Sequence, residues 1–169
     1  MPSKSETLLF ERLNGFANKN RFTRTATIFF SVYFHYFLVA FLLFLVIQNK
    51  QFLPMLLLSV FLGRVVITEI VRYFVRRPRP FVNHQVNLLI KPPKSFSFPS
   101  ADASFLFSLV PAVYLHNPVF GIFFSLSSVL VSLARVAVGV HWPADIFAGA
   151  LIGIFSGIIT NFTITLFHF

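Results

Sequence analysis

The sequence predicts an all-α fold: a polytopic membrane helical bundle of five transmembrane helices with an N-terminal amphipathic surface helix. Three observations predict it. Hydrophobic residues supply 56% of the 169-residue chain and charged residues only 11%, whereas a soluble domain carries about a quarter charged residues to cover its surface. The apolar residues run in stretches long enough to cross a bilayer core. Short polar turns separate these stretches, with one long exception. The same composition excludes a disordered chain, and the lack of cysteine excludes a disulfide scaffold.

Each element follows in order. In residues 1–24, Leu8, Leu9, Phe10, Leu13 and Phe16 recur at helical spacing among Lys4, Glu6, Glu11 and Arg12. This pattern predicts a surface helix over about 5–17. The apolar run that follows starts too late and is too long for a cleaved signal peptide. Residues 26–47 carry no formal charge and form the first span. Gln48, Asn49, Lys50 and Gln51 make a tight turn. The second span covers 52–75 and contains Arg64 and Glu69. Residues 76–99 form the one long loop, rich in proline and basic residues; loops of this length usually carry function. Spans over 100–116, 119–138 and 144–167 complete a single membrane domain over 1–169. Gly139 to Pro143 breaks the chain between the last two, with Pro143 suited to a first helical position.

The charge is as informative as the apolar pattern. The formal net charge is +9. Nucleic-acid-binding proteins reach such values, but not with the charge placed between apolar runs of bilayer length, so no nucleic-acid partner is expected. A positive protein in a bilayer points to anionic head groups or phosphorylated substrates. No protein partner can be inferred.

The up-and-down order of the spans gathers Arg72, Arg79, Ser100, Asp102, Arg135, His141 and Asp145 at one membrane face. Ionisable residues are expensive there, so a functional site is the default reading. His141 and Asp145 are four apart across a helix start. A carboxylate so placed accepts a hydrogen bond from one ring nitrogen and fixes the tautomer, leaving the other nitrogen free to attack phosphorus. A polar helix start alone would explain the same pair, but three converging arginines favour the chemical reading. Arg72, Arg79 and Arg135 form a candidate phosphate clamp, because forked guanidiniums match phosphoryl oxygens. Arg76 and Arg77 suit snorkelling to the interface instead. Ser100 opens the third span, where its hydroxyl and the following N–H groups make either an anion site or a plain helix cap.

Three segments carry a family resemblance. They are Arg72-Tyr-Phe-Val-Arg-Arg-Pro-Arg79-Pro80, Phe98-Pro99-Ser100-Ala101-Asp102 and Arg135-Val-Ala-Val-Gly-Val-His141-Trp-Pro-Ala-Asp145. Together they resemble the three signatures of the phosphatidic acid phosphatase type 2 superfamily, K-x6-R-P, P-S-G-H and S-R-x5-H-x3-D. Arg72 stands for the lysine, Ala134 for the serine, Ala101 for the glycine and Asp102 for the histidine. The resemblance implies a lipid phosphatase working without metal or cofactor through a phosphohistidine at His141. It implies a phosphorylated lipid as partner and a bacterial cell membrane as location.

Asp102 departs from that pattern, since the family expects a histidine there to protonate the leaving oxygen. Asp102 is either a protonated acid, or a gap that a good leaving group tolerates, or a mark of an impaired homologue that binds or moves phospholipid. A polyprenyl diphosphate of the undecaprenyl type, which releases a lipid monophosphate, suits the second case. Phosphatidylglycerophosphate, phosphatidic acid and lipid A are the alternative substrates. His84, in the long loop, is a possible substitute acid, and Glu69 a possible orienting partner of Arg72 or of Arg64. His35 reads as a satisfied polar group between Tyr33 and Tyr36; His116 and His168 lie away from the site. Except for Lys50 and Arg64, the basic residues flank the site face, which by the positive-inside rule would be cytoplasmic. Catalytic demand distorts that count, and the resemblance favours the outer face.

Overall fold

The computed structural model describes residues 2–91 and 93–167, and among them it is helical with no strand; His168 lies outside the described residues. α1 (Lys4–Ala17) begins at Ser3, whose side chain accepts from the Glu6 amide. Phe10, Asn14 and Ala17 form its buried stripe, while Leu8, Leu9 and Phe16 stay exposed on the other side. This is the division a surface helix needs.

The next rod begins at Arg21, ahead of the apolar run, because Asn20 and Thr23 form a reciprocal capping box there. α2 (Arg21–Ile28) passes through a π-helical stretch, Phe29–Tyr33, into α3 (Phe34–Gln48). α4 (Phe52–Val60) likewise passes through Phe61–Ile67 into α5 (Thr68–Val75). Thr68 Oγ1 lies 2.8 Å from Gly63 O and 2.8 Å from Ser104 Oγ, tying this second π-helical stretch to the neighbouring helix. Arg76 ends α5 in the left-handed region at φ 44. A single turn, α6 (Pro80–Asn83), follows. The chain then runs back across the same end of the bundle, held by Ser97 N to Arg77 O at 2.9 Å and Leu89 N to Val138 O at 3.2 Å.

α7 (Ala101–His116), α8 (Pro118–Ala137) and α9 (Pro143–Phe167) complete the bundle. Asn117 caps α8 by accepting from the Val119 and Phe120 amides, and Gly139, at φ 92, supplies the left-handed residue that turns the chain after it. Among the described residues, four stretches are long and apolar enough to cross a membrane: Arg21–Gln48, Phe52–Asn83, Pro118–Ala137 and Pro143–Leu166. α7 is also apolar, but its 16 residues span roughly 24 Å against a core of about 30 Å. The sequence expectation of five full spans therefore meets four by length.

Among the described residues, α7 and α9 make the most extensive helix–helix contact. A Cβ added at Gly149, Gly153 or Gly157 would run into Ser100 O, Ser104 O or Ser108 O of the facing strip. Two four-residue repeats of small side chains thus let the backbones touch, the usual device where lipid offers no hydrophobic driving force. The approach brings the start of α7 against the start of α9, where Ser100 N donates to Asp145 O at 2.9 Å. Gly153→Val is expected to destabilise the purified protein by about 1–3 kcal/mol through overpacking. Gly15→Ala, where nothing lies within 4 Å of the added carbon, is expected to be neutral or slightly stabilising. Thermal unfolding in detergent measures both, and equal effects would contradict the close approach.

Candidate active site

Four segments meet at the end of the bundle that α1 covers: the end of α5 with the loop after it, the start of α7, the end of α8 and the start of α9. His141 sits just before α9 and is buried at 2% exposure. Its Nε2 lies 3.2 Å from Arg79 Nη1. Its Nδ1 faces Asp145 Oδ2 at 3.5 Å without a formed hydrogen bond; unliganded sites often hold such contacts long. A guanidinium only donates, so the Nε2 it faces is the lone-pair nitrogen and the proton is on Nδ1 toward Asp145. Burial pushes the His141 imidazole below its ordinary pKa; the adjoining Asp145 carboxylate opposes this and the Arg79 charge adds to it. The ring is therefore neutral near pH 7, with its nucleophilic nitrogen aimed at a cation.

Asp145 is fully buried, and both its oxygens are held. Oδ2 accepts from Trp142 N at 2.8 Å and Oδ1 accepts from Arg77 Nη1 at 2.8 Å. Arg79 is bound by its own loop, Nε to Ser95 O at 2.7 Å and Nη2 to Ser95 Oγ at 3.1 Å, and by the turn before α9, Nη1 to Val140 O at 2.7 Å. Five donors in a fixed fork allow it to keep these contacts and still face His141.

Of the three arginines expected to clamp phosphate, Arg72 and Arg135 are each already ion-paired. Arg79 lies within electrostatic reach of Arg72 and Arg135. Arg72 donates to Glu69 Oε1 at 2.9 Å and to Pro99 O at 3.1 Å, and its buried Nε has no partner. Glu69 also accepts from Arg64 at 2.7 Å, so it serves both arginines considered for it. Arg135 Nε lies 2.9 Å from Asp102 Oδ2. That ion pair favours a carboxylate at Asp102 over a protonated acid. Ser100 is fully buried and caps α7, its Oγ accepting from Ala103 N at 3.4 Å.

His84 stands edge-on to Trp142, ring centroids 4.9 Å apart. It shares a cavity of about 620 Å³ with Arg77, Arg79 and Asn83, on the loop side of Arg79. The His35 ring packs on Tyr36 at 4.3 Å, within electrostatic reach of Asp102 and Arg135.

Arg77 corrects the sequence reading. It does not snorkel: it is largely buried and bridges Asp145 to Glu6 Oε2 at 2.8 Å. Glu6 also lay outside the sequence-based site. No local signal marks the pair, because 71 positions separate them. Among the described residues, no group of three or more His, Cys, Asp or Glu side chains stands at metal-binding distance.

The arrangement is a neutral imidazole, oriented by a carboxylate, beside guanidiniums at one end of a membrane bundle. The chain is similar to known proteins in sequence and in fold. Over 116 residues the chain is 33% identical to an undecaprenyl-diphosphatase of Sulfolobus acidocaldarius, covering 66% of this chain and 55% of that protein. It is 29% identical over 92 residues to undecaprenyl-diphosphatase BcrC of Bacillus subtilis, covering 54% and 48%. The chain thus spans about half the length of these curated relatives. The crystal structure of Aquifex aeolicus LpxE superposes with a TM-score of 0.75 at 31% identity, covering 91% of this chain and 93% of that one. A PAP2-type phosphatidylglycerolphosphate phosphatase of Bacillus subtilis, at 21% identity and a TM-score of 0.54, shares the fold over 93% and 92%. The PAP2 superfamily model matches residues 52–166, from the start of α4 nearly to the end of α9. With that match covering every residue of the three signatures, the chain belongs to the PAP2 superfamily.

Proposed function

We propose that the chain is an integral-membrane lipid phosphatase that hydrolyses a polyprenyl diphosphate of the undecaprenyl type to the monophosphate through a phosphohistidine at His141. The observation that carries this reading is the neutral His141 ring, held between Asp145 at Nδ1 and Arg79 at Nε2. The undecaprenyl-diphosphatase relatives support the substrate class. On this reading α7 completes a five-span domain, its short length fitting a helix that begins below the head-group plane inside the site.

In the first step the Nε2 lone pair attacks the terminal phosphorus and the bond to the bridging oxygen breaks. The electron pair leaves with the lipid monophosphate. Arg79 exchanges its contact with Nε2 for the equatorial phosphoryl oxygens, and Arg72, through its free Nε, adds a second donor. Asp145 stabilises the positive charge on the phosphorylated ring. In the second step water attacks phosphorus, the phosphorus–nitrogen bond breaks, Nε2 regains its lone pair and dihydrogen phosphate departs with both protons of the water.

Asp102 decides among substrates. An ion-paired carboxylate has no proton to give, and a lipid monophosphate leaves without one, whereas an alkoxide does not. Diphosphates are therefore favoured over monoesters. An apolar groove of about 830 Å³ between α1, α8 and α9 opens beside the Glu6 end of the site and would receive the lipid chain.

Phosphate release by the purified protein from a panel of diphosphate and monophosphate lipids tests the reading. His141→Ala should abolish release while leaving helix content unchanged; release that survives this change would refute the nucleophile. Because burial lowers the His141 pKa, kcat/KM should fall only below the ordinary imidazole value of about 6.5, as the ring gains its proton. An acidic limb well above that value would contradict the neutral resting ring. Asp102→His should raise monoester turnover selectively, and equal gains on monoesters and diphosphates would remove the leaving-group argument. The site is proposed to face outward, so Asn83→Cys should label in intact cells with an impermeant thiol reagent. Labelling only after lysis would reverse the orientation.

A further inference from the structure

The amphipathic helix α1 is wired into the site. Arg77 donates through Nη1 to Asp145 Oδ1 and through Nη2 to Glu6 Oε2, each at 2.8 Å. The other Glu6 oxygen, Oε1, accepts from Ala144 N at 3.0 Å, one residue before Asp145. Glu6 thus holds both the cation that holds Asp145 and the backbone that carries it. The exposures of the Glu6, Arg77 and Asp145 side chains are 11%, 16% and 0%, so water screens this array weakly. Two further contacts fix α1 in place. Phe10 packs on Trp142 with ring centroids 5.0 Å apart. Asn14 Nδ2 donates to Asn87 O and Ala137 O, each at 2.9 Å. The opposite face of α1 leaves Leu8, Leu9 and Phe16 exposed, as suits a helix lying in the interface.

We infer that Glu6 is a positioning residue acting through Arg77 on Asp145 and His141, so that the seating of the surface helix sets the charge the nucleophile feels. The inference rests on the phosphatase reading above for its meaning in turnover. Its logic is a charge count. Glu6, Arg77 and Asp145 sum to one negative charge. Neutralising Glu6 leaves the Arg77–Asp145 pair with none, and Asp145 becomes a poorer acceptor for the Nδ1 proton. Removing Arg77 leaves two negative charges. Removing both restores one. The other charged groups around His141 are Arg79 from the loop after α5, Arg135 from α8 and Asp102 from α7, and none of these changes in the series.

The test uses the full chain in detergent, with a short-chain prenyl diphosphate as the probe substrate. Glu6→Gln should lower kcat about tenfold, with KM within about twofold, and move the acidic limb of the pH profile about one unit toward acid. Arg77→Gln should move the limb the other way. The double variant should bring it back to the wild-type position, and Glu6→Asp should leave it in place. A mechanical clamp predicts instead additive losses with a fixed limb, and that result would overturn the inference. Nitrogen-15 shifts of the His141 ring, followed through a pH titration, read the same coupling without turnover. Should no lipid release phosphate, the proposed function fails, while a Glu6-dependent ring titration still upholds the inference. An unmoved titration in a folded Glu6→Gln protein sinks it.

Discussion

A carboxylate buried at the end of a membrane bundle keeps its charge only if a cation reaches it, and Arg77 is the cation that reaches Asp145. The rest of the site depends on that contact. With one oxygen on Arg77 and the other on the Trp142 amide, Asp145 has a single orientation, and Oδ2 is turned to His141. Breaking one member of such a buried pair is costly because the other charge is left stranded. The fold accordingly supports Arg77 from a second side with Glu6 and lays it over the Trp142 ring at 5.5 Å.

The bilayer explains why the site sits where it does. The lipid-facing surface is apolar, with Phe147, Leu151, Phe155, Ile158 and Phe162 exposed along α9, so hydrophobic burial discriminates little between helices there. Close backbone contact does that work instead. The glycines of α9 and the serines of α7 let the two helix starts meet, which aligns Ser100 with Asp145. The charged side chains are then paired at that end: Arg72 with Glu69, Arg135 with Asp102, and Arg77 with Glu6 and Asp145.

Much of this was legible in the sequence, and the missing part has a common cause. Apolar runs marked the helices because length and hydropathy are local quantities. The His141 to Asp145 spacing was legible because both residues belong to one helix start. The early start at Arg21 was hidden by charge, since hydropathy discounts a capping box. The Gly149, Gly153 and Gly157 repeat stood in the sequence, but it gains meaning only opposite Ser100, Ser104 and Ser108. Arg77 escapes a local reading for the same reason. Nothing beside it distinguishes a snorkelling arginine from a buried bridge, and its partners lie 68 and 71 positions away. Asp102 was recognised as a departure, but its partner Arg135 became apparent only once α7 and α8 were packed together.

The central claim is that His141 carries the phosphoryl group. Rapid quenching during turnover of a diphosphate labelled at its terminal phosphorus tests it directly. The account predicts label on the protein that survives alkali, is lost in acid and maps to the peptide containing His141. Turnover with no such adduct, or with the label on another residue, would contradict it.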